Sequence, residues 1–352
     1  MLPMKSKVVM DLAKQLAEQR RLTEDEYAHL IRFRTAESSV YLAKRADQIR
    51  KKIYKNHVYI RGLIEISNIC RNDCYYCGIR RSNTACERYR LTKQQILGCC
   101  REGYELGFRT FVMQGGEGTY PVGKIADIVK SVKERYSDCA VTLSLGEYTR
   151  AEYEIMRDAG ADRYLLRHET ADREHYRKLH PAVMSWENRM RCLYDLKELG
   201  FQVGCGFMVG SPYQTAESLA KDLKFIEKFM PDMCGIGPFI PQGDTPFRDI
   251  PAGSGELTVF LLSVIRLIKP NILLPATTAL GTIMENGREQ GILAGANVIM
   301  PNLSPLSERK KYSLYDNKIC SGEESAQSVS TLRDHMRSIG YQIITAKGDI
   351  IK

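Results

Sequence analysis

The chain has 352 residues, of which 43% are hydrophobic and 26% charged, and it carries a formal charge of +9. That composition describes a globular protein with a large core and excludes disordered and fibrous classes. No apolar run approaches the ~18 residues of a membrane span, and the opening MLPMKSKVVMDLAKQL lacks the apolar centre of a signal peptide, so a cytoplasmic protein with no membrane partner is expected. Basic residues are dispersed rather than gathered with aromatics in one patch, so no nucleic-acid partner is expected; the mild positive charge serves solubility or an anionic ligand.

Residues 1–55 read as a helical extension. Val8, Val9, Leu12 and Leu16 fall near one helix face, and Val40, Leu42, Ala43, Ala46 and Ile49 follow helical spacing. Thr23 with Glu26 three residues on has the form of a capping box. From 56 to 305 the pattern changes to β-rich runs alternating with amphipathic ones. Strands are predicted at 58–66, 109–114, 140–146, 162–168, 202–209, 233–240, 271–276 and 297–301. Helices are predicted at 92–106, 122–136, 149–159, 185–199, 215–229, 255–268 and 287–294. Gly107, Gly160, Gly200 and Gly295 each stand between a helix and the next strand, where a left-handed residue closes the last turn. Helix feeding strand, repeated, means parallel strands with crossover helices. The expected fold is α/β, a (β/α)8 barrel of the TIM type, with a doubly wound open sheet as the alternative. Residues 306–352 are expected to pack on the barrel as a short C-terminal α segment.

Polar residues collect at the C-terminal ends of the predicted strands, the face where barrel enzymes carry their active sites. They are Gln114 and Glu117, Ser144 and Glu147, Arg167, His168 and Glu169, then Thr277 and Thr278. Of the eleven cysteines most read as small buried hydrophobes, but Cys70, Cys74 and Cys77 stand with three and then two residues between them. Structural zinc takes four ligands, and the nearest histidine in sequence, His57, lies thirteen residues before Cys70. A cubane [4Fe–4S] cluster on three thiolates leaves one iron open to a substrate or cofactor.

This spacing, with the aromatic Tyr76 before the last cysteine and just after the first barrel strand, resembles the radical S-adenosylmethionine (SAM) superfamily. QGGEG at 114–118 is similar to that superfamily's GGE motif. YLLRHET, SWENRM, GIGPFIP, LLPATTALGTI, GANVIMPN and SLYDNKIC together resemble the HydE-like group of [FeFe]-hydrogenase maturases, in order from Val58 to Cys320. Biotin synthases and methylornithine synthases resemble the core more distantly. The resemblance implies a [4Fe–4S] cluster on Cys70, Cys74 and Cys77, and SAM cleaved reductively to methionine and a 5′-deoxyadenosyl radical. Tyr76, Gln114, Gly115, Gly116, Glu117 and Ser144 would line the SAM site. Glu169 would bond the ribose hydroxyls and Arg189 the methionine carboxylate. Arg61, Arg167, Thr277 and Thr278 would line a substrate cavity, and no catalytic residue is implied beyond the cluster and SAM.

The resemblance also implies a small anionic, sulfur-containing substrate, an iron carbonyl–cyanide precursor in hydrogenase assembly. A reductant such as ferredoxin or flavodoxin and the other hydrogenase maturases would be partners. A HydE-like paralogue with another thioether or amino-acid-derived substrate, and a non-catalytic metal-binding protein, are the alternatives. Plain structural roles also stay open: a surface ion pair for Arg189, pairing of Arg61 with Glu65 or Glu169, and a hydrogen-bonded core histidine for His168. Two departures stand out. Some HydE proteins hold a second cluster on a C-terminal cysteine trio; here Cys320 is followed by Ser325 and Ser328, so no second cluster is expected. Gly115 stands where members often carry serine.

Overall fold

The protein is described from a computed structural model, which covers residues 2–319 and 326–351. Three helices open the chain: α1 (Leu2–Gln19), α2 (Glu24–Arg32) and α3 (Ala36–Tyr54). Thr23 and Thr35 begin α2 and α3 with reciprocal capping boxes, so orphan amide donors of those first turns are satisfied locally. α2 packs on α9 (Ala216–Phe229) and α3 on α10 (Gly255–Ile268), which fixes the extension to the barrel's outer ring.

The barrel begins with β1 (His57–Ile60) and β2 (Gly62–Ser67), one strand direction interrupted at Arg61. There follow α4 (Lys93–Glu105), β3 (Thr110–Gly115), α5 (Val122–Arg135), β4 (Ala140–Ser144), α6 (Arg150–Asp158) and β5 (Arg163–Leu165). The next turn carries two helices, α7 (Arg173–Leu179) and α8 (Trp186–Glu198), before β6 (Gln202–Cys205) and β7 (Met208–Val209). After α9 come β8 (Met233–Cys234) and β9 (Gly237–Pro238), then α10, α11 (Thr278–Ile283), α12 (Gly287–Leu293) and β10 (Val298–Ile299). The chain ends with α13 (Leu306–Arg309), α14 (Val329–Ser338) and β11 (Gln342–Ile344).

β2, β3, β4, β5, β6 and β8 form one parallel sheet in that order. Bridges from Met233 to Leu273, from Pro275 to Val298 and from Leu63 to Asn302, with β10 beside β1, close it into the (β/α)8 barrel. The strand predicted at 271–276 is reduced to single bridges at Leu273 and Pro275, since proline cannot donate to a ladder. The runs predicted at 202–209 and 233–240 are each broken in two, the first at Gly206 with φ 159°.

The C-terminal segment differs from expectation in holding a strand as well as helix. β11 pairs in parallel with β1, His57 opposite Gln342 and Tyr59 opposite Ile344. The residues after it cross beneath the barrel: the Lys347 carbonyl accepts from Thr110 Oγ1 at 2.7 Å and from Arg163 Nη2 at 2.9 Å. Cys320 and Ser325, on which the expectation of no second cluster rests, lie outside the described residues. No helix of the described residues is long and apolar enough to cross a membrane.

Candidate active site

β2 delivers the chain into an irregular loop that carries the three cysteines at the C-terminal mouth of the barrel. A turn bond from Cys77 N–H to Cys74 O (3.3 Å) and another from Arg80 N–H to Cys77 O (3.1 Å) fold it tightly. The Arg88 guanidinium staples it from behind, donating to the carbonyls of Asn68, Ile79, Arg80 and Asn83 at 2.6 to 3.0 Å. Asp73 pairs with Arg80 at 2.7 Å, and Gly78 N–H reaches the Leu314 carbonyl at 2.9 Å, so the C-terminal segment holds the loop too.

Two main-chain donors, Asn72 N–H at 3.4 Å and Glu117 N–H at 3.3 Å, point at Cys70 Sγ. Burial, opposed by those donors, leaves the Cys70 thiol above its ordinary value. Burial and the neighbouring Cys77 push Cys74 further up, and burial with the nearby Cys70 pushes Cys77 up to about 12. Desolvation, with repulsion among neighbouring sulfurs, thus favours the protonated form of all three thiols, although the three side chains are not gathered into a metal-ready cluster among the described residues. A cationic iron centre removes both penalties by taking the protons' place, so this donor set fits a thiolate-bound cluster.

Gly115 and Gly116 carry β3 past this loop. A Cβ on Gly116 would run into the Ile69 carbonyl, so the close approach of the two chains requires glycine. A Cβ on Gly115 would press on Leu145 Cδ2 and the Ser67 carbonyl at 3.2 Å, so this chain has no ready room for a serine there. Glu117 then points at Arg189 of α8, with Nη2 to Oε2 at 3.0 Å. Glu147, beyond β4, meets the same guanidinium at 2.7 Å and is braced by Asn188 Nδ2 at 2.6 Å. Gly146, at φ 84°, lets the chain pass where a side chain would collide with Glu117. Burial raises Glu147 in spite of Arg189, while the two carboxylates hold the Arg189 guanidinium firmly charged against its own burial. The surface ion pair entertained for Arg189 is thus a buried triad.

Glu169 follows β5 with φ 63°, a conformation that costs a non-glycine residue of order 1–3 kcal/mol. Its Oε2 lies 3.3 Å from Arg167 Nη2 without the geometry of a hydrogen bond. His168, between them, turns away from the cavity to Asp222 of α9 and is a buried core histidine. Tyr76 is held by its hydroxyl at 3.1 Å from His180 Nε2.

A cavity of about 360 Å³ runs from the cysteine loop down the barrel axis. Every site residue predicted from sequence lines it: the three cysteines, Tyr76, Gln114, Gly115, Gly116, Glu117, Ser144, Glu169, Arg189, Arg61, Arg167, Thr277 and Thr278. Gln114 Nε2 reaches the Tyr312 hydroxyl at 3.3 Å. At the floor, Arg61 donates to Met233 Sδ at 2.9 Å and Gly348 O at 3.3 Å, and burial followed by repulsion from Arg163 lowers its pKa strongly. It pairs with neither Glu65 nor Glu169. Glu65 is taken by Lys318 and Asn302, and Glu169 by Arg167. Arg61 Nε, Thr142 Oγ1 and Thr277 Oγ1 are buried with no partner among the described residues.

Sequence reasoning gave no site role to Arg88, Arg163, Lys318 or Thr142. A signal existed for Arg163, which shares strand parity, and hence a face, with Leu165 and Arg167. None existed for Lys318, whose partner Glu65 is 253 residues away.

The family model of the radical SAM superfamily matches residues 64–226. The [FeFe] hydrogenase maturase subunit HydE of Thermotoga maritima is 46% identical over 300 residues, 85% of either chain. The crystal structure of methylornithine synthase (PylB) superposes with a TM-score of 0.82 at 26% identity, over 94% of this chain and 97% of that one. That of HydG, a maturase of the [FeFe]-hydrogenase, gives 0.79 at 22% identity over 96% and 76%, a likeness of fold. The cysteine loop, the barrel and these likenesses agree: the chain belongs to the radical SAM superfamily, in its HydE-like group.

Proposed function

We propose that this protein is a HydE-type maturase acting on a small, sulfur-containing anion, an iron carbonyl–cyanide precursor, during assembly of the [FeFe]-hydrogenase active site. Radical SAM enzymes use a [4Fe–4S] cluster and SAM, and the donor set described above fits both. Cys70, Cys74 and Cys77 would hold the cluster. Bound together, cluster and SAM supply reductive cleavage to methionine and a 5′-deoxyadenosyl radical.

The chain's own groups divide the remaining work. Glu117 offers a carboxylate to the methionine ammonium, and Arg189 a guanidinium to its carboxylate, while Glu147 and Asn188 keep Arg189 in place. Glu169 accepts the ribose hydroxyls. Tyr76, its hydroxyl against His180, lines the site beside the cysteine loop. Below, Arg167, Thr277 and Thr278 face the middle of the cavity, and Arg61 with Thr142 its floor.

The observation that carries the substrate class is the floor. Two buried guanidiniums, Arg61 and Arg163, sit together with Asp349 as the carboxylate beside them, and Arg61 has no ion pair of its own among the described residues. A compact anion would satisfy Arg61 and the orphan Thr142 hydroxyl at once. An electron donor such as ferredoxin or flavodoxin, and the other maturases, complete the reading.

The test is anaerobic turnover with SAM, a reductant and the precursor complex, followed by mass spectrometry and by activation of apo-hydrogenase with the remaining maturases. A substrate-dependent adenosylated product and active hydrogenase are expected. SAM cleavage that no sulfur-bearing anion stimulates would contradict the substrate assignment.

A further inference from the structure

The turn that bears Glu169 is held from outside the cavity by two buried polar side chains with no part in the site described above. Glu169 N–H donates to Gly206 O at 3.0 Å, and Gly206 N–H donates to His168 Nδ1 at 3.2 Å. Because a main-chain N–H only donates, Nδ1 is the acceptor and the ring proton sits on Nε2. That proton faces Asp222 Oδ1 at 3.2 Å, and the same oxygen accepts Ala171 N–H at 2.5 Å. Both side chains are fully buried, and Phe225, one turn along α9, packs its ring 4.7 Å from the imidazole.

Apart from the bond between its members, the hydrogen bonds of this pair among the described residues go to main chain: to Gly206, which itself accepts from Glu169, and to Ala171, two residues after it. A buried histidine–carboxylate pair is a costly way to fill a core, where apolar residues of like volume do as well or better. What it does here is pin, from both flanks, a residue whose backbone is strained. We propose that His168 and Asp222 are positioning residues for SAM: they clamp residue 169 in its left-handed conformation and so aim the Glu169 carboxylate at the nucleoside. The inference rests on the reading of Glu169 as the ribose-binding carboxylate.

The clamp acts only through Glu169, which sets its test apart from that of a stability residue. SAM and its 2′,3′-dideoxyribose analogue are titrated calorimetrically, without oxygen, into the cluster-loaded wild type, Glu169→Gln, Asp222→Asn and the double variant. Asp222→Asn is expected to weaken SAM about tenfold, the low end of the effect of losing an outer-shell partner at a metal site. It should leave the dideoxy analogue unaffected and add nothing to Glu169→Gln. Main-chain hydrogen exchange at 169 and 171 should speed up without any ligand bound.

Wild-type SAM affinity in Asp222→Asn overturns the clamp, as does a loss additive with Glu169→Gln or one equal for both ligands. If Glu169→Gln itself binds SAM normally, the ribose assignment fails and the inference with it. Should Asp222→Asn not fold, His168→Gln, whose Oε1 can still accept from Gly206, is judged by the same comparisons.

Discussion

Arg189 is where the charges of the SAM pocket meet. With no ligand bound it pairs with Glu117 and Glu147 at once, one positive charge shared between two carboxylates. On the proposed reading a zwitterion would exchange partners without changing the net charge: its ammonium would take Glu117 and its carboxylate part of Arg189, while Glu147 stayed. Arg189→Leu is therefore expected to weaken SAM binding roughly ten- to a hundredfold, the worth of one charged hydrogen bond. It also leaves two buried carboxylates facing each other, so thermal stability should fall by about 3–5 kcal/mol. Calorimetric titration and a melting curve read the two effects separately; unchanged SAM affinity would sink the role given to this residue. Arg167 is the contrasting case. Its ion pair with Glu169 lacks hydrogen-bond geometry, and Nε and Nη2 are unsatisfied. Arg167→Met should keep the cluster, SAM binding and slow uncoupled cleavage, but lose substrate-stimulated cleavage and the adenosylated product. A stable variant with normal product formation would contradict it. At this scale the sequence showed the residue types and their strand ends. It could not show partners such as Met233 and Gly348 for Arg61, because the contacts are made by closing the barrel.

The elements were most legible where local chemistry decides them. Glycines at 107, 160, 200 and 295 all adopt positive φ, from 78° to 103°, at the helix-to-strand joints read from the sequence. Less legible were elements whose existence depends on a neighbour: the bridges at Leu273 and Pro275, and β11, whose three residues become a strand by lying beside β1. The cysteine loop belongs with these. It has little regular structure and depends on Arg88 for four carbonyl contacts. A lysine keeps the charge but cannot reproduce a planar guanidinium spread over four acceptors. Arg88→Lys should accordingly load iron yet lose it on gel filtration several-fold faster than wild type, with the far-ultraviolet spectrum unchanged. Equal iron retention would show that the loop holds its shape without the staple.

At the scale of the whole molecule, the cavity runs from the cysteine loop to Arg61, which the C-terminal segment holds through Gly348 O. Burial there makes the fold sensitive to acid. His180, enclosed between Tyr76 and Tyr176, has its pKa pushed down to about 3, chiefly by burial. The folded protein thus binds this proton less readily than the unfolded chain. The stability tied to neutral His180 is complete above pH ~6.5 and is lost as pH falls from there toward about 3. Between pH ~6.5 and ~5 the loss should be about 2 kcal/mol, at 1.36 kcal/mol per unit. Denaturant titrations across that range check it, and His180→Gln should flatten the dependence.

On the proposed reading, the three cysteines at the mouth of this barrel would hold one cluster at which SAM is cleaved. The most direct measurement is anaerobic reconstitution, iron analysis and quantification of 5′-deoxyadenosine after adding SAM and dithionite, in wild type and Cys74→Ala. Wild type should hold about four irons per chain, one cubane, and form 5′-deoxyadenosine. Cys74→Ala should lose both the reduced cluster's paramagnetic signal and the product. Cleavage of SAM by a Cys74→Ala protein that retains its cluster would contradict the account.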